Sequence, residues 1–444
     1  MKLTTMTKGI SRFVLRTSVA LPLVLAPAVS VTVLQAAGVS APFAQAQAAE
    51  KTRKVPAMRQ NVFKKLGKVQ EAADKQNWPE ALAGLRDMES EMDKYNAYEK
   101  AQTYYFSGFV YYSMERYKEA IAAYKKVLAQ GVQNIPVGVE LNTYKTISQL
   151  YFIQENYDQA LTYMKKWMAA SETISATDYA LLAQMYYQKG DQGNALKYIN
   201  KSVSMFEKGG KVPKENWYSL QRFLYYEKDD YKTVTSILEK LVKHYPKAEY
   251  YKQLAGMYGQ LKREKDQLYM MEAAYIAGAL QKEKELLNMA YLFMGNEMPY
   301  KASKVISKGI KDKKIERNSK NLETLAQAYQ MAQELQKAIP QLEAAGKLSD
   351  KGDIYARLAG IYLDLDKNGK ALEVAGKALK KGGVKRDDQL YIVQGMANAN
   401  LKKYDAALTA FKKAAKDDRS KKFAQQYIVF IEKEQKRAKQ LGEE

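Results

Sequence analysis

Apolar residues recur along most of this chain three and four positions apart, the spacing that gathers them into a stripe on one face of a helix. In "YYFSGFVYYSMERYKEAIAAYKKVL" a small residue, Gly108, is followed by an aromatic at Tyr111, an alanine at Ala120 and large and medium apolar residues at Tyr124 and Val127. The same order returns ten times. The small position runs Val69, Gly108, Ser148, Ala183, Arg222, Ala255, Ala290, Ala326, Ala359 and Gly395. Three residues on stand Ala72, Tyr111, Tyr151, Tyr186, Tyr225, Tyr258, Phe293, Tyr329, Tyr362 and Asn398. Twelve after the small position stand Ala81, Ala120, Ala160, Ala195, Val234, Gln267, Ala302, Ala338, Ala371 and Ala407. Between the two halves of each unit lie short polar stretches such as "MERY", "QENY", "KGDQ" and "DKNG", which favour turns over a continued helix. The pattern predicts an all-α chain of about ten helix-turn-helix units. Arg222, Gln267 and Asn398 break it, and local widening of the helix packing is expected at each.

Small residue, aromatic, alanine and bulky residue at these offsets make up the tetratricopeptide motif, which has a period near 34 residues. The chain therefore resembles tetratricopeptide-repeat proteins. The resemblance implies a right-handed superhelical solenoid in which each helix pair shelters its neighbour's apolar side. The aromatic of each repeat is expected to fill the gap toward the next. The array is expected over 58–419, after a polar linker at 49–57. Residues 420–444, with Phe423, Tyr427, Phe430 and Ile431 at helical spacing, read as a solvating C-terminal capping helix and tail.

The amino terminus has a different character. Lys2, Lys8, Arg12 and Arg16 precede a stretch from Thr17 to Ala49 without a charged residue, which ends in "AQAQAAE". Basic, apolar and small residues in that order form a secretory signal peptide, here 1–48, with cleavage expected after Ala46 or Ala48 and a periplasmic destination. The alternative is an uncleaved leader that anchors the chain in the inner membrane; Pro22 and Pro27 interrupt the apolar stretch and speak against it.

Composition narrows the chemistry. The 444 residues contain no cysteine and one histidine, His244, so thiolate sites, disulfides and His-based metal clusters or triads are excluded. No phosphate-binding loop, dinucleotide fingerprint or hydrolase elbow occurs. No enzyme activity, cofactor, metal or small-molecule substrate is expected. Asp229/Asp230 and Asp387/Asp388 read as solvated turn residues. There are 71 Lys and Arg against 49 Asp and Glu, a net charge of +22, which becomes 22 − 4 = +18 without the leader. Lysine pairs that follow the bulky second-helix residue (Lys125/Lys126, Lys165/Lys166, Lys412/Lys413) read as a solvated outer face, able to contact anionic envelope polymers. Few arginines and no recognition motif argue against nucleic acid.

The functional candidate is the inner face. Positions one and four after the small residue should point into a concave groove, and they hold Phe109, Tyr112, Phe152, Tyr187, Phe223, Tyr226, Tyr291 and Met294, with Gly256 and Gly259 leaving a bare patch. Rigid aromatics there suit a protein segment, and any such groove is expected in the N-terminal two-thirds. The stretches "YNAYEKAQTYYFSGFVYYSMERYKEAI", "KENWYSLQRFLYYEKDDYKTVTSILEKLVKHYPKAEYYKQLAGMYGQL" and "EKELLNMAYLFMGNEMPYKASKVI" resemble periplasmic tetratricopeptide proteins that accompany TonB/ExbB/ExbD systems of Gram-negative bacteria. That resemblance implies a non-enzymatic accessory role in TonB-dependent uptake, with TonB-system components as partners. An envelope-assembly or peptidoglycan-associated scaffold is the alternative.

Overall fold

The computed structural model describes residues 53–441, and the proposed leader lies outside them. Twenty-one α-helices follow one another with no strand among the described residues. Ten repeats supply α1 (Gln60–Asp74) and α2 (Trp78–Ser90), α3 (Ala97–Ser113) and α4 (Tyr117–Ala129), α5 (Val137–Ile153) and α6 (Tyr157–Ala170), α7 (Ala176–Lys189) and α8 (Gln192–Lys208), α9 (Glu215–Tyr226) and α10 (Tyr231–His244), α11 (Ala248–Gln260) and α12 (Glu264–Ile276), α13 (Glu283–Gly295) and α14 (Pro299–Lys311), α15 (Ser319–Met331) and α16 (Leu335–Leu348), α17 (Asp353–Asp364) and α18 (Asn368–Lys381), α19 (Asp387–Asn400) and α20 (Tyr404–Ala414). A long helix, α21 (Asp418–Leu441), closes the chain.

Local chemistry starts and stops these helices. Asn96 and Ser175 form capping boxes with Glu99 and Asp178, and Asn156, Asp191, Asp230 and Asn318 cap α6, α8, α10 and α15. Each such side chain satisfies an amide the first turn leaves unpaired. The turn inside every repeat has one geometry. Gln76, Glu115, Glu155, Asp229, Lys262, Glu297, Gln333, Asp366 and Lys402 hold φ between 54° and 60°, and Gly190 takes the same place in repeat four. The next residue's amide then reaches back to the carbonyl of the motif's aromatic position, from Asn77 to Ala72 through Lys403 to Asn398, at 2.8–3.1 Å. This is the left-handed cap that closes a helix on its own last turn. It fixes the register of all ten repeats, the degenerate first and last included. Nine non-glycine residues adopt it at a cost of roughly 1–2 kcal/mol each, offset by the carbonyls they satisfy.

The packing explains the motif. A Cβ on Gly108 would stand 2.8 Å from the Tyr124 ring, and one on Gly395 would stand 2.8 Å from Phe411. Both rings come from the residue sixteen positions on, in the second helix of the same repeat. Where the small position is Ala183 or Ala326, the residue sixteen on is Ile199 or Leu342; where it is Ala359, it is Ala375. All of these are buried. In four of these five pairs a small residue faces a large one, as a close-packed interface between helices favours, and Ala359–Ala375 is small on both sides. In repeat six the volume moves instead: Gln267 lies against Gly259, where a Cβ would meet its amide at 2.6 Å. Gly259 thus absorbs the expected widening and leaves no bare patch, while Gly256 is open.

The fold divides into two compact units after Leu224, within α9. The N-terminal unit is filled by rings: Tyr98, Tyr105, Phe106, Tyr124, Trp167, Tyr179, Tyr186, Trp217 and Tyr218 are buried. The C-terminal unit is filled over repeats eight and nine largely by alanines, among them Ala326, Ala338, Ala345, Ala359, Ala371, Ala375 and Ala378, with Leu322, Leu342, Leu358 and Tyr362.

Candidate functional site

Two of the motif's aromatics reach backward with their hydroxyls, where the sequence suggests a forward reach, and Tyr151 and Tyr186 stack on Tyr163 and Tyr198 of their own repeats. Tyr258 on α11 donates its hydroxyl to Glu239 of α10 at 2.8 Å, and Tyr362 on α17 donates to Glu343 of α16 at 2.9 Å. Burial, then the carboxylate acceptor, pushes both phenols up to about 12. The lysines thought merely solvated lean on rings. Lys125 of α4 lies 5.3 Å from the centre of the Tyr151 ring on α5, Lys165 of α6 lies 5.8 Å from Tyr186 on α7, and Lys126, Lys166 and Lys413 stand 5.0–5.4 Å from Tyr104, Tyr163 and Tyr391. Exposed contacts of this kind are worth about 0.5–1 kcal/mol each. Lys125 and Lys165 thereby join one repeat to the next, so tyrosine and lysine are abundant together for one reason.

Asp388 is not a solvated turn residue. Its side chain is 2% exposed. It accepts two hydrogen bonds from Arg386 at 2.7 and 2.8 Å and one from Ser420 of α21 at 2.6 Å. The Arg386 guanidinium, with Ser420 and Arg419, holds its carboxyl well below the usual carboxylate range. The carboxylate thereby fastens α21 to α19. Glu99 is its counterpart in repeat two: burial raises its carboxyl, and the fork of Arg59 and the Asn96 amide bring it below its ordinary value.

The eight candidate inner-face residues separate into two groups. Tyr112, Phe152 and Tyr226 pack across the turn onto the first residue of the following helix, Tyr117, Tyr157 and Tyr231, with ring centres 5.7–6.2 Å apart. Phe152 and Met294 are buried and thus part of the packing; Tyr112 is half-buried. Tyr187 on α7 meets Phe223 on α9 edge-on at 5.6 Å, which ties two repeats together, and both stay half-exposed. Phe109 is half-exposed, Tyr226 is at the edge of exposure, and Tyr291 is 45% exposed. Of the eight, Tyr226 and Tyr291 are exposed, Phe109, Tyr112, Tyr187 and Phe223 are half-buried, and Phe152 and Met294 are buried.

A recess lies where the sequence does not place one. In the C-terminal unit a cleft of about 840 Å³ opens across the first helices of repeats eight, nine and ten. Lys320 and Glu323 of α15, Asp353, Ala356 and Arg357 of α17, and Gln389 and Val393 of α19 line it, with the linkers that carry Asp350, Lys351, Val384 and Lys385. Arg357 bonds to Gln330 and Glu323, and Arg386 is held by Asp388. Lys320, Lys351 and Lys385 have no carboxylate within ion-pair distance among the described residues. The cleft thus sets five basic and three acidic side chains over a partly apolar wall, a basic excess that suits an extended segment bearing carboxylates. It lies before the small position in each first helix, outside the offsets the motif assigns to the groove, so periodicity gives it no signal. Lys320 and Lys385 stand in lysine-rich stretches at 301–320 and 370–386, and Lys351 lies outside both. Among the described residues no group of three or more acids and histidines is placed to hold a metal ion. No helix among them is long and apolar enough to cross a membrane.

Tetratricopeptide repeat family models match residues 99–173 and, for a second model, 179–208 and 388–419. No curated protein matches the chain. Among solved structures, similarity is found to YrrB, described as a TPR protein with an unusual peptide-binding site, at 15% identity over 39% of this chain and 84% of that one, TM-score 0.32. A tetratricopeptide repeat protein from Parabacteroides merdae is 13% identical over 58% of this chain and 98% of its own, TM-score 0.28. The APC/C hetero-tetramer Cut9–Hcn1 gives 12% identity over 86% and 91%, TM-score 0.29.

Proposed function

We propose that this tetratricopeptide-repeat protein is an exported, non-enzymatic scaffold of the cell envelope that holds an extended, carboxylate-bearing segment of a partner protein. The cleft of repeats eight to ten carries the reading: its basic excess supplies attraction, and its apolar wall and open length supply contact area. The leader-like amino terminus supports a periplasmic site of action. The stretches that resemble TonB-associated tetratricopeptide proteins support an accessory role in TonB-dependent uptake, with components of that system as the partner. The competing reading is attachment to peptidoglycan or another anionic polymer, which the lysine-rich surface favours.

Affinity capture from crosslinked envelopes, with mass determination of the mature amino terminus, tests the proposal. TonB-system components should be recovered, and Lys351→Glu with Lys385→Glu should reduce recovery at least about tenfold, as loss of two charge-assisted contacts implies. Unchanged nutrient uptake on deletion, with capture of none of these components, overturns the TonB role. Sedimentation with purified peptidoglycan that fades steeply with salt favours the competing reading.

A further inference from the structure

The closing helix, α21, caps the array with one buried face and carries exposed rings beside it. Ala424 and Ile431 are buried in a cluster with Ala407, Leu408 and Phe411 of α20. Tyr427 stacks on Phe411 at 5.2 Å and is flanked by Phe423 at 4.6 Å and Phe430 at 6.4 Å. Phe423 and Phe430 remain 40% and 55% exposed. Three rings fixed against a buried fourth form a rigid apolar stripe with nothing over it among the described residues.

The stripe is self-complementary. Phe423 and Phe430 are seven residues apart and share a face, with Arg419 four residues before the first and Glu434 four after the second. Read in reverse about the midpoint between Gln426 and Tyr427, Arg-Phe-Phe-Glu becomes Glu-Phe-Phe-Arg. A second copy laid antiparallel therefore sets Phe423 against Phe430 and Arg419 against Glu434, each contact occurring twice as a two-fold axis requires. Both charged side chains are accessible, at 55% and 36%; within one chain Arg419 pairs with Asp417 and Glu434 lies 3.9 Å from Arg437, so a second copy would share these charges. We propose that this face is a homodimer contact in which α21 packs antiparallel on α21 of a second copy. Lys416 and Arg437 would meet like charge to like beyond it, which confines the contact to the span between Arg419 and Glu434.

Sedimentation velocity of the purified full chain, over protein concentrations from about 5 to 200 µM, reads the mass directly in the range where a small interface associates. The expected result is a concentration-dependent shift toward twice the monomer mass. At +22, two copies repel at long range, so the shift should hold or grow as salt rises from about 0.15 to 0.5 M. Phe423→Ser with Phe430→Ser should raise the dimer Kd at least about tenfold, as removal of central apolar anchors does. Glu434→Arg should weaken the dimer, with helicity and urea midpoint as controls on folding. A monomer at every concentration overturns the proposal, as does a dimer indifferent to these substitutions. So does a monomer whose α21 crosslinks to residues 1–52 of its own chain, or one that binds anionic vesicles through the stripe.

Discussion

Repeats two and nine share a frame and fill it oppositely. In repeat two the small position is Gly108, and the Tyr124 ring occupies the space a side chain would take. In repeat nine Ala359 faces Ala375, and both are fully buried. Just before the small position, repeat two buries Tyr105 and Phe106, whereas repeat nine presents Ala356 and Arg357, which line the cleft. The backbone rules of the repeat are the same in both. At these offsets apolar rings fill repeat two, whereas a small residue and a charged one leave the cleft open in repeat nine.

The most severe way to break this contrast is to exchange the fillings. Tyr124→Ala should destabilise the N-terminal unit by about 3–5 kcal/mol, the cost of a large cavity in a core. Ala375→Tyr should also destabilise, by roughly 1–3 kcal/mol or more, because repeat nine has no glycine opposite to receive the ring. Urea unfolding monitored by helicity measures both. Tolerance of Ala375→Tyr would show that helix spacing adjusts, and would undo the comparison.

A smaller effect probes what the units have in common, a buried acid in the first turn of a first helix. Asp388→Asn should cost about 2 kcal/mol through weakened charge-assisted bonds to Arg386, and should loosen α21. Asp388 and Glu99 both hold folded-state pKa values below their unfolded ones. Their contribution is therefore fully present above the ordinary carboxylate range, about pH 4, and is lost as pH falls below it. Stability of wild type against pH should decline below about 4, and the Asp388→Asn variant should show a shallower decline. An identical slope would remove Asp388 from the account.

The finest test compares two glycines. Gly108→Ala drives a methyl into the Tyr124 ring and should cost about 1–3 kcal/mol. Gly360→Ala, in the first helix of repeat nine with nothing within 4 Å of the new Cβ, should gain about 0.5–1 kcal/mol from helix propensity. Thermal melts of the two variants should move in opposite directions.

Much of this was readable without coordinates, because the tetratricopeptide period is written in several residue types at fixed offsets. Helix order, the number of repeats and the small-to-bulky packing follow from that coincidence. The left-handed residue of each turn was not legible: Glu115, Lys262 and Asp366 are ordinary helix or surface residues, and only the returning hydrogen bond forces them there. Phe152 and Met294 occupy the same offset as Tyr226, yet the first two are buried and the third lies at the surface. The offset sets direction, and the neighbouring helices set exposure.

The amino-acid order alone thus determined a chain of paired helices, since local periodicity and turn chemistry act over a few residues and need no distant partner. What lies across from each side chain was decided only by packing. Asp388 became a buried fastener because Ser420 and two arginines converge on it, and the cleft opens where the first helices of repeats eight to ten present polar and small side chains before their small positions. Burial and recess volume depend on atoms far apart in the chain, and a period read along one strand of sequence carries no record of them.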